Sequence, residues 1–132
     1  MKDFTLRCLT SDSFLNSKLG FDFEIWAFKK EKQGDWAGDY FVGYCSQVQK
    51  FFGYGEIITS PNSEEIVENI WPGVFNSPVH IKFWNEKCDG PSKDKIQEIL
   101  GSNWHNKLVV NNQGSKCNVT PIEFLEIQKL FY

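Results

Sequence analysis

No stretch of this sequence approaches the roughly 20 consecutive apolar residues that a membrane-spanning helix needs. The opening, MKDFTLRCLT, has no apolar signal core. No membrane contact is expected, and the expected location is cytoplasmic. Histidine is scarce (His80 and His105), and the four cysteines, Cys8, Cys45, Cys88 and Cys117, stand far apart without a CxxC pair. Zinc sites draw on Cys and His at short, fixed spacings, so no metal site is expected and the thiols read as reduced and mostly buried. The sequence also lacks a GxSxG elbow, an HExxH pair and a Walker-type phosphate loop. Asp12, Asp39 and Glu56 are isolated carboxylates, which a helix cap, a turn and a solvated strand face respectively explain. No catalytic residue and no cofactor is expected. Positive charge is not in excess either: 14 Lys and Arg against 17 Asp and Glu leave a net charge of −3. That excludes attachment to nucleic acid mainly through broad phosphate neutralisation, though not the reading of one extruded base. With no repeat, low-complexity segment or linker, residues 1–132 read as a single domain.

Aromatics are abundant, with twelve Phe, five Trp and four Tyr, enough for a heavy core, for stacking surfaces, or for both. Phe4 to Leu9 reads as a strand. Ser11, Asp12 and Ser13 then offer helix-start oxygens, Phe14, Leu15 and Leu19 recur at helical spacing, and Gly20 is a natural stop. Phe23 to Phe28 reads as a short strand carrying Trp26. Lys29 to Gly38 is a polar loop in which Trp36 is either a contact residue or a cover over the core edge. Tyr40 to Ser46 and Phe51 to Thr59 give the strongest β signal, joined by Gln47 to Lys50. Gly43, Gly53 and Gly55 interrupt them, pointing to tight curvature or close backbone approach. Ser60 to Asn69 is helix-compatible, or a loop with one turn. Val79 to Trp84 alternates as a strand, so one of Phe83 and Trp84 is core and the other faces a pocket or solvent. Ser92 to Leu100 reads as a helix ended by Gly101, and Leu108 to Val110 as a short strand. Thr120 with Glu123 forms a capping box with Pro121 at the first helical position, ahead of an apolar stripe of Phe124, Ile127, Leu130 and Phe131.

The stretch SDSFLNSKLGFDFEIWA, Ser11 to Ala27, resembles the opening of YTH domains, readers of adenine methylated on its exocyclic amine. The resemblance puts the family's two polar pocket positions on Asp12 and Asn16, beside Ser11, and its first cage aromatic on Trp26. The family's small polar residue after that Trp is Ala27 here, where a backbone contact can survive. In WPGVF, ahead of the next strand, Trp71 takes the place of the second cage aromatic. The tail NKLVVNNQGSKCNVTPIEFLEIQKLFY is similar to the YTH C-terminus, and GDYFVGYCSQVQKFFGYGEIITSP resembles the middle of EVE and other PUA-superfamily domains. The implied fold is α+β: a small, curved, barrel-like mixed sheet flanked by about three helices.

The implied function is a non-catalytic reader that holds a flipped 6-methyladenine between Trp26 and Trp71, with Asp12 and Asn16 on the base edge. Burying one methyl group is worth roughly 1 kcal/mol, and base–aromatic stacking about 1–3 kcal/mol. Trp36, Trp84, Lys29 and Lys30 are additional contact candidates; Lys29, Lys30, Lys32, Lys50 and Lys82 either touch phosphates or form an ordinary solvated surface. YTH-like and EVE-like domains also open McrB-type, GTP-driven restriction proteins. The resemblance therefore favours DNA as partner, with a larger chain or nuclease subunit alongside. The alternatives are a reader of methylated RNA, an EVE-like reader of another modified base, an acidic protein-interaction domain, and a small hydrolase or transferase using a pocket carboxylate.

Overall fold

The computed structural model describes residues 4–65, 67–71, 75–86, 90–101 and 115–132. Among these, nine elements follow in chain order: β1 (Phe4–Ser11), α1 (Phe14–Phe23), β2 (Ile25–Phe28), β3 (Tyr40–Cys45), β4 (Lys50–Ile57), β5 (Asn76–Glu86), α2 (Lys93–Leu100), β6 (Lys116–Val119) and α3 (Pro121–Lys129). The strands form one mixed sheet in the order β2-β5-β4-β3-β1-β6. Among the described strands only β1 and β3 pair in parallel, with α1 and β2 in the connection between them. Register breaks between β3 and β4, and between β4 and β5, bend the sheet. The expected α+β class, mixed curved sheet and three helices are all present.

Both faces of the sheet are covered, and the period-two alternation of the strands sorts their residues. Leu6 and Cys8 of β1, Val42 and Tyr44 of β3, and Phe51 and Tyr54 of β4 share one core with Ile96 and Leu100 of α2 and Phe124 and Ile127 of α3. Leu9, Phe41, Cys45, Phe52 and Ile57 turn the other way, to meet Trp26, Phe28, Trp36, Val79 and Ile81. A third cluster joins Ile25 and Ala27 of β2 to Val67 and Trp71. The neighbours Trp26 and Ala27 thus serve opposite sides of β2. Gly55 illustrates the close packing foreseen for the strand glycines: a Cβ there would lie 1.9 Å from the Lys82 carbonyl oxygen.

Several boundaries differ from the expectation. Helix α1 runs past Gly20 to Phe23 and ends at Glu24, which adopts the left-handed region (φ 50°) and returns its N–H to the Gly20 carbonyl. The strand therefore begins at Ile25. Gly20 does a different job: a Cβ there would sit 2.3 Å from the Trp26 ring, so the helix lies on that indole only because position 20 has no side chain. Of the apolar residues expected at helical spacing in α1, Leu19 packs on the cluster that holds Trp71, whereas Leu15 is 67% exposed and the polar Ser17 is buried instead. Ser13, not Asp12, caps the helix by accepting the Asn16 N–H. Of the two readings of Ser60 to Asn69, the described part follows the loop, with turns and no helix. The capping box of α3 is present as expected, with Leu130 and Phe131 packing just beyond the helix end. The strand expected at Leu108 to Val110 lies outside the described residues.

Asp39 closes the expected turn, its backbone N–H donating to the Trp36 carbonyl at 3.0 Å, and its side chain makes a second, longer-range contact. Its carboxylate accepts a hydrogen bond from Arg7 Nε at 2.8 Å, and the guanidinium carbon lies 4.1 Å from the centroid of Trp36. Cys8, Cys45 and Cys117 are free and buried, as expected. Burial, the largest cause, pushes the Cys8 thiol from 9.0 up to about 12 and the Cys117 thiol up to about 11. A hydrogen bond with Thr10 partly offsets the rise at Cys8, and Glu123 adds to that at Cys117. An unfolded chain releases these protons near pH 9 while the fold retains them, so folding is fully supported below that pH and loses support above it. Denaturant midpoints are expected to be insensitive to these thiols at pH 7–8. Above pH 9 they should fall, at about 1.4 kcal/mol per pH unit for each thiol. A Cys8→Ala variant with an unchanged alkaline slope would contradict this.

Candidate functional site

The start of α1, the end of β2, the end of β1 and the segment reaching Trp71 enclose a cavity of about 350 Å³. That is within the range of small-ligand sites. Ser11, Asp12, Asn16, Trp26, Ala27, Lys29, Lys30 and Trp71 line it. The two indoles, 45 residues apart in sequence (71 − 26), meet edge to face with centroids 6.5 Å apart and planes at 68°. Both are set deep, Trp26 at 3% and Trp71 at 6% exposure, so they are walls of the cavity and not protruding rings. Phe52 stacks on Trp26 at 5.6 Å and 22°, and Phe75 leans on Trp71 at 5.6 Å. These neighbours pack against the two walls from behind.

The polar groups are equally ordered. Ser11 Oγ lies 2.6 Å from Ser17 Oγ, tying the end of β1 to α1. Asn16 Nδ2 donates to Asp12 Oδ1 at 3.0 Å, and Asn16 Oδ1 accepts from Trp71 Nε1 at 3.1 Å. Lys29 Nζ stands 3.6 Å from Asp12 Oδ2. Ala27 falls in a break of the β2–β5 register, opposite Ser77 and Pro78. Pro78 has no N–H to give to a ladder and Ser77 takes a positive φ of 52°. The segment before Trp71 is pinned by Trp71 N–H to the Val67 carbonyl and by Glu65 to His80 Nε2 at 2.8 Å.

Two expected contact residues lie elsewhere. Trp36 is 5% exposed and packs edge-on against Phe28 at 5.3 Å, with its ring N–H given to the Gln33 carbonyl. It is core, because the loop folds its indole under Arg7. Trp84 is 40% exposed and packs with Tyr40, Tyr54 and Phe124, on the sheet face away from the cavity. Strand alternation sends Phe83 to the cavity-side core and Trp84 to the other face. Lys32 joins the lining, whereas Lys50 and Lys82 do not. Thr10, Phe28, Ser46 and Phe75 also line the cavity and were not singled out. Ser46 arrives through the parallel pairing of β3 with β1, which no local pattern announces. Phe75, an aromatic four residues beyond Trp71, carried a readable signal.

The described lining residues include no histidine or cysteine, and among the described residues no three potential ligands gather around a metal position. No described helix is long and apolar enough to cross a membrane. The arrangement offers two aromatic walls, a carboxamide–carboxylate pair and flanking cations, which suits a flat, polar-edged ligand.

No protein-family model and no curated protein sequence matches the chain. Solved structures do. The Mmi1 YTH domain in complex with RNA superposes with a TM-score of 0.64 at 19% identity, over 96% of this chain and 77% of that one. The fold is that of a YTH domain. The YTH domain of Zygosaccharomyces rouxii MRB1, solved with N6-methyladenosine RNA, gives 0.69 at 19% identity over 97% and 86% of the two chains. The Pho92 YTH domain, solved in complex with m6A, gives 0.67 at 13% identity over 97% and 86%. At such identities the likeness establishes the YTH architecture, and the use of the cavity has to be argued from its own residues.

Proposed function

We propose that this chain is a non-catalytic reader that takes a flipped 6-methyladenine base from RNA into the cavity between Trp26 and Trp71. The observation that carries this reading is the meeting of two sequence-distant indoles, 6.5 Å apart, in one cavity with Asp12 and Asn16. The aromatic walls give the base a stacking surface and the methyl group an apolar seat. The exocyclic N–H that methylation leaves can donate to the Ala27 backbone or to Asp12. Asn16, with one N–H given to Asp12, keeps a second for a ring nitrogen. Lys29, Lys30 and Lys32 at the same cavity suit the phosphates on either side of the extruded nucleotide. The flip itself costs a few kcal/mol in a duplex and least in a single strand, which favours unpaired RNA.

RNA is preferred over the DNA-targeting, McrB-type role that the sequence resemblance suggested. The Mmi1 and MRB1 YTH domains were solved with RNA and the Pho92 YTH domain with m6A, which supports RNA as the partner. Anisotropy titrations of labelled single-stranded oligonucleotides, as RNA and DNA and with or without one 6-methyladenine, test the reading. Methylated RNA is expected to bind at least several-fold tighter than plain RNA, since one buried methyl group is worth about 1 kcal/mol. Equal binding of methylated and plain strands removes the cage. A methyl preference in DNA alone restores the DNA reading.

A further inference from the structure

From the hydrogen bonds at the cavity mouth, we infer that Asn16 is a positioning residue: it holds the Trp71 indole in place and is itself held by Asp12. The inference rests on the reader function proposed above and names how that site is kept in shape. Trp71 Nε1 can only donate, and the carboxylate of Asp12 can only accept. Asn16 satisfies both, giving its Oδ1 to the indole at 3.1 Å and its Nδ2 to Asp12 at 3.0 Å. The opposite orientation of the amide would set an N–H against the indole N–H and an oxygen against the carboxylate. Asp12 therefore selects which way Asn16 points, and Asn16 fixes the ring of a residue 55 positions later. Lys29, 3.6 Å from the other carboxylate oxygen, completes the chain.

This linkage matters because Trp71 arrives on an irregular segment, whereas Trp26 is set in a strand and backed by Phe52. Of the two walls, Trp71 is the one whose angle depends on a side-chain hydrogen bond from α1. The angle between the walls decides whether a methyl group fits, so Asn16 bears on methyl discrimination as well as on total affinity.

The test uses the indole ¹H–¹⁵N correlation of Trp71, assigned by its absence in Trp71→Phe, together with the affinity ratio of methylated over plain RNA. In Asn16→Leu the Trp71 indole resonance is expected to move to the position of an unbonded N–H, and the ratio to fall by roughly fourfold to tenfold, the worth of about one methyl contact. Asp12→Ala is expected to shift both in the same direction. Asp12→Asn, with its carbonyl still an acceptor for Asn16, is expected to restore both. Should Asn16→Leu fail to fold, Asn16→Ala serves, because it also removes the acceptor that the indole uses and adds no bulk. An unmoved Trp71 resonance in the folded Asn16 variant, or an unchanged affinity ratio, overturns the inference. If the wild type shows no methyl preference, the reader function fails, and the Trp71 resonance still decides separately whether Asn16 holds that ring.

Discussion

Replacing Trp71 with alanine is expected to weaken binding of a 6-methyladenine-containing RNA by about 1–3 kcal/mol, the measured range for losing one base–aromatic contact. That is roughly fivefold to more than a hundredfold in Kd. Plain RNA should lose less, so the methylated-over-plain ratio should collapse towards one. Trp71 is also buried against Ile25, Ala27 and Val67, so truncation opens a cavity and costs stability of about 3–5 kcal/mol. Affinity must accordingly be measured well below the variant's melting temperature. Trp71→Phe separates the two effects: it keeps most of the packing but removes the N–H that Asn16 accepts. Trp26→Ala is a poorer probe. Its indole lies in the cavity-side core with Phe28, Phe41 and Phe52, so binding and folding would fail together.

The second large effect lies outside the cavity. Asp39→Ala should destabilise the fold by about 1.5–3 kcal/mol, because it removes the charge-assisted hydrogen bond that Asp39 accepts from an Arg7 side chain only 8% exposed. Arg7 also lies over Trp36, and that cation–π contact survives the substitution without replacing the lost charge. Arg7→Met together with Asp39→Ala removes both charges and should recover most of the loss, as buried pairs replaced by apolar groups often do. Urea unfolding of the single and double variants checks this. If Asp39→Ala matches the wild type, the pair does not support the fold. Methyl discrimination should be unchanged in either variant, since neither residue lines the cavity.

These two expectations mark where the sequence was legible and where it was not. Strand alternation, the capping box at Thr120 and the two hairpin strands follow from local pattern, and the structure places them as read. The convergence of Asp12, Asn16 and Trp26 was also legible, because a helix start and the next strand lie close in sequence. Trp71 was reached only through resemblance; nothing local says that a turn after Val67 will carry its indole to α1. Trp36 stays open in the sequence between contact and core cover because a Trp among Lys, Gly and Asp carries no local sign of burial. The charge that buries it, Arg7, is on a strand 29 residues earlier (36 − 7). Gly20 misled outright. Glycine commonly ends helices, but here it is needed for the close approach of a ring, and a Glu adopts the left-handed turn four residues later. In each case a tertiary contact, and not the local pattern, decided the outcome.

The most direct measurement is the set of indole ¹H–¹⁵N resonances, five in this chain, recorded while the free nucleoside N6-methyladenosine is added. A free nucleoside removes the contribution of phosphates and leaves the cavity alone to act. The resonances of Trp26 and Trp71 should move in a saturable way and those of Trp36 and Trp84 should stay in place, with plain adenosine producing the same pattern at higher concentration. Movement confined to Trp84, or no movement of Trp26 and Trp71 at saturating nucleoside, would contradict the claim that these two indoles form a seat for a methylated base.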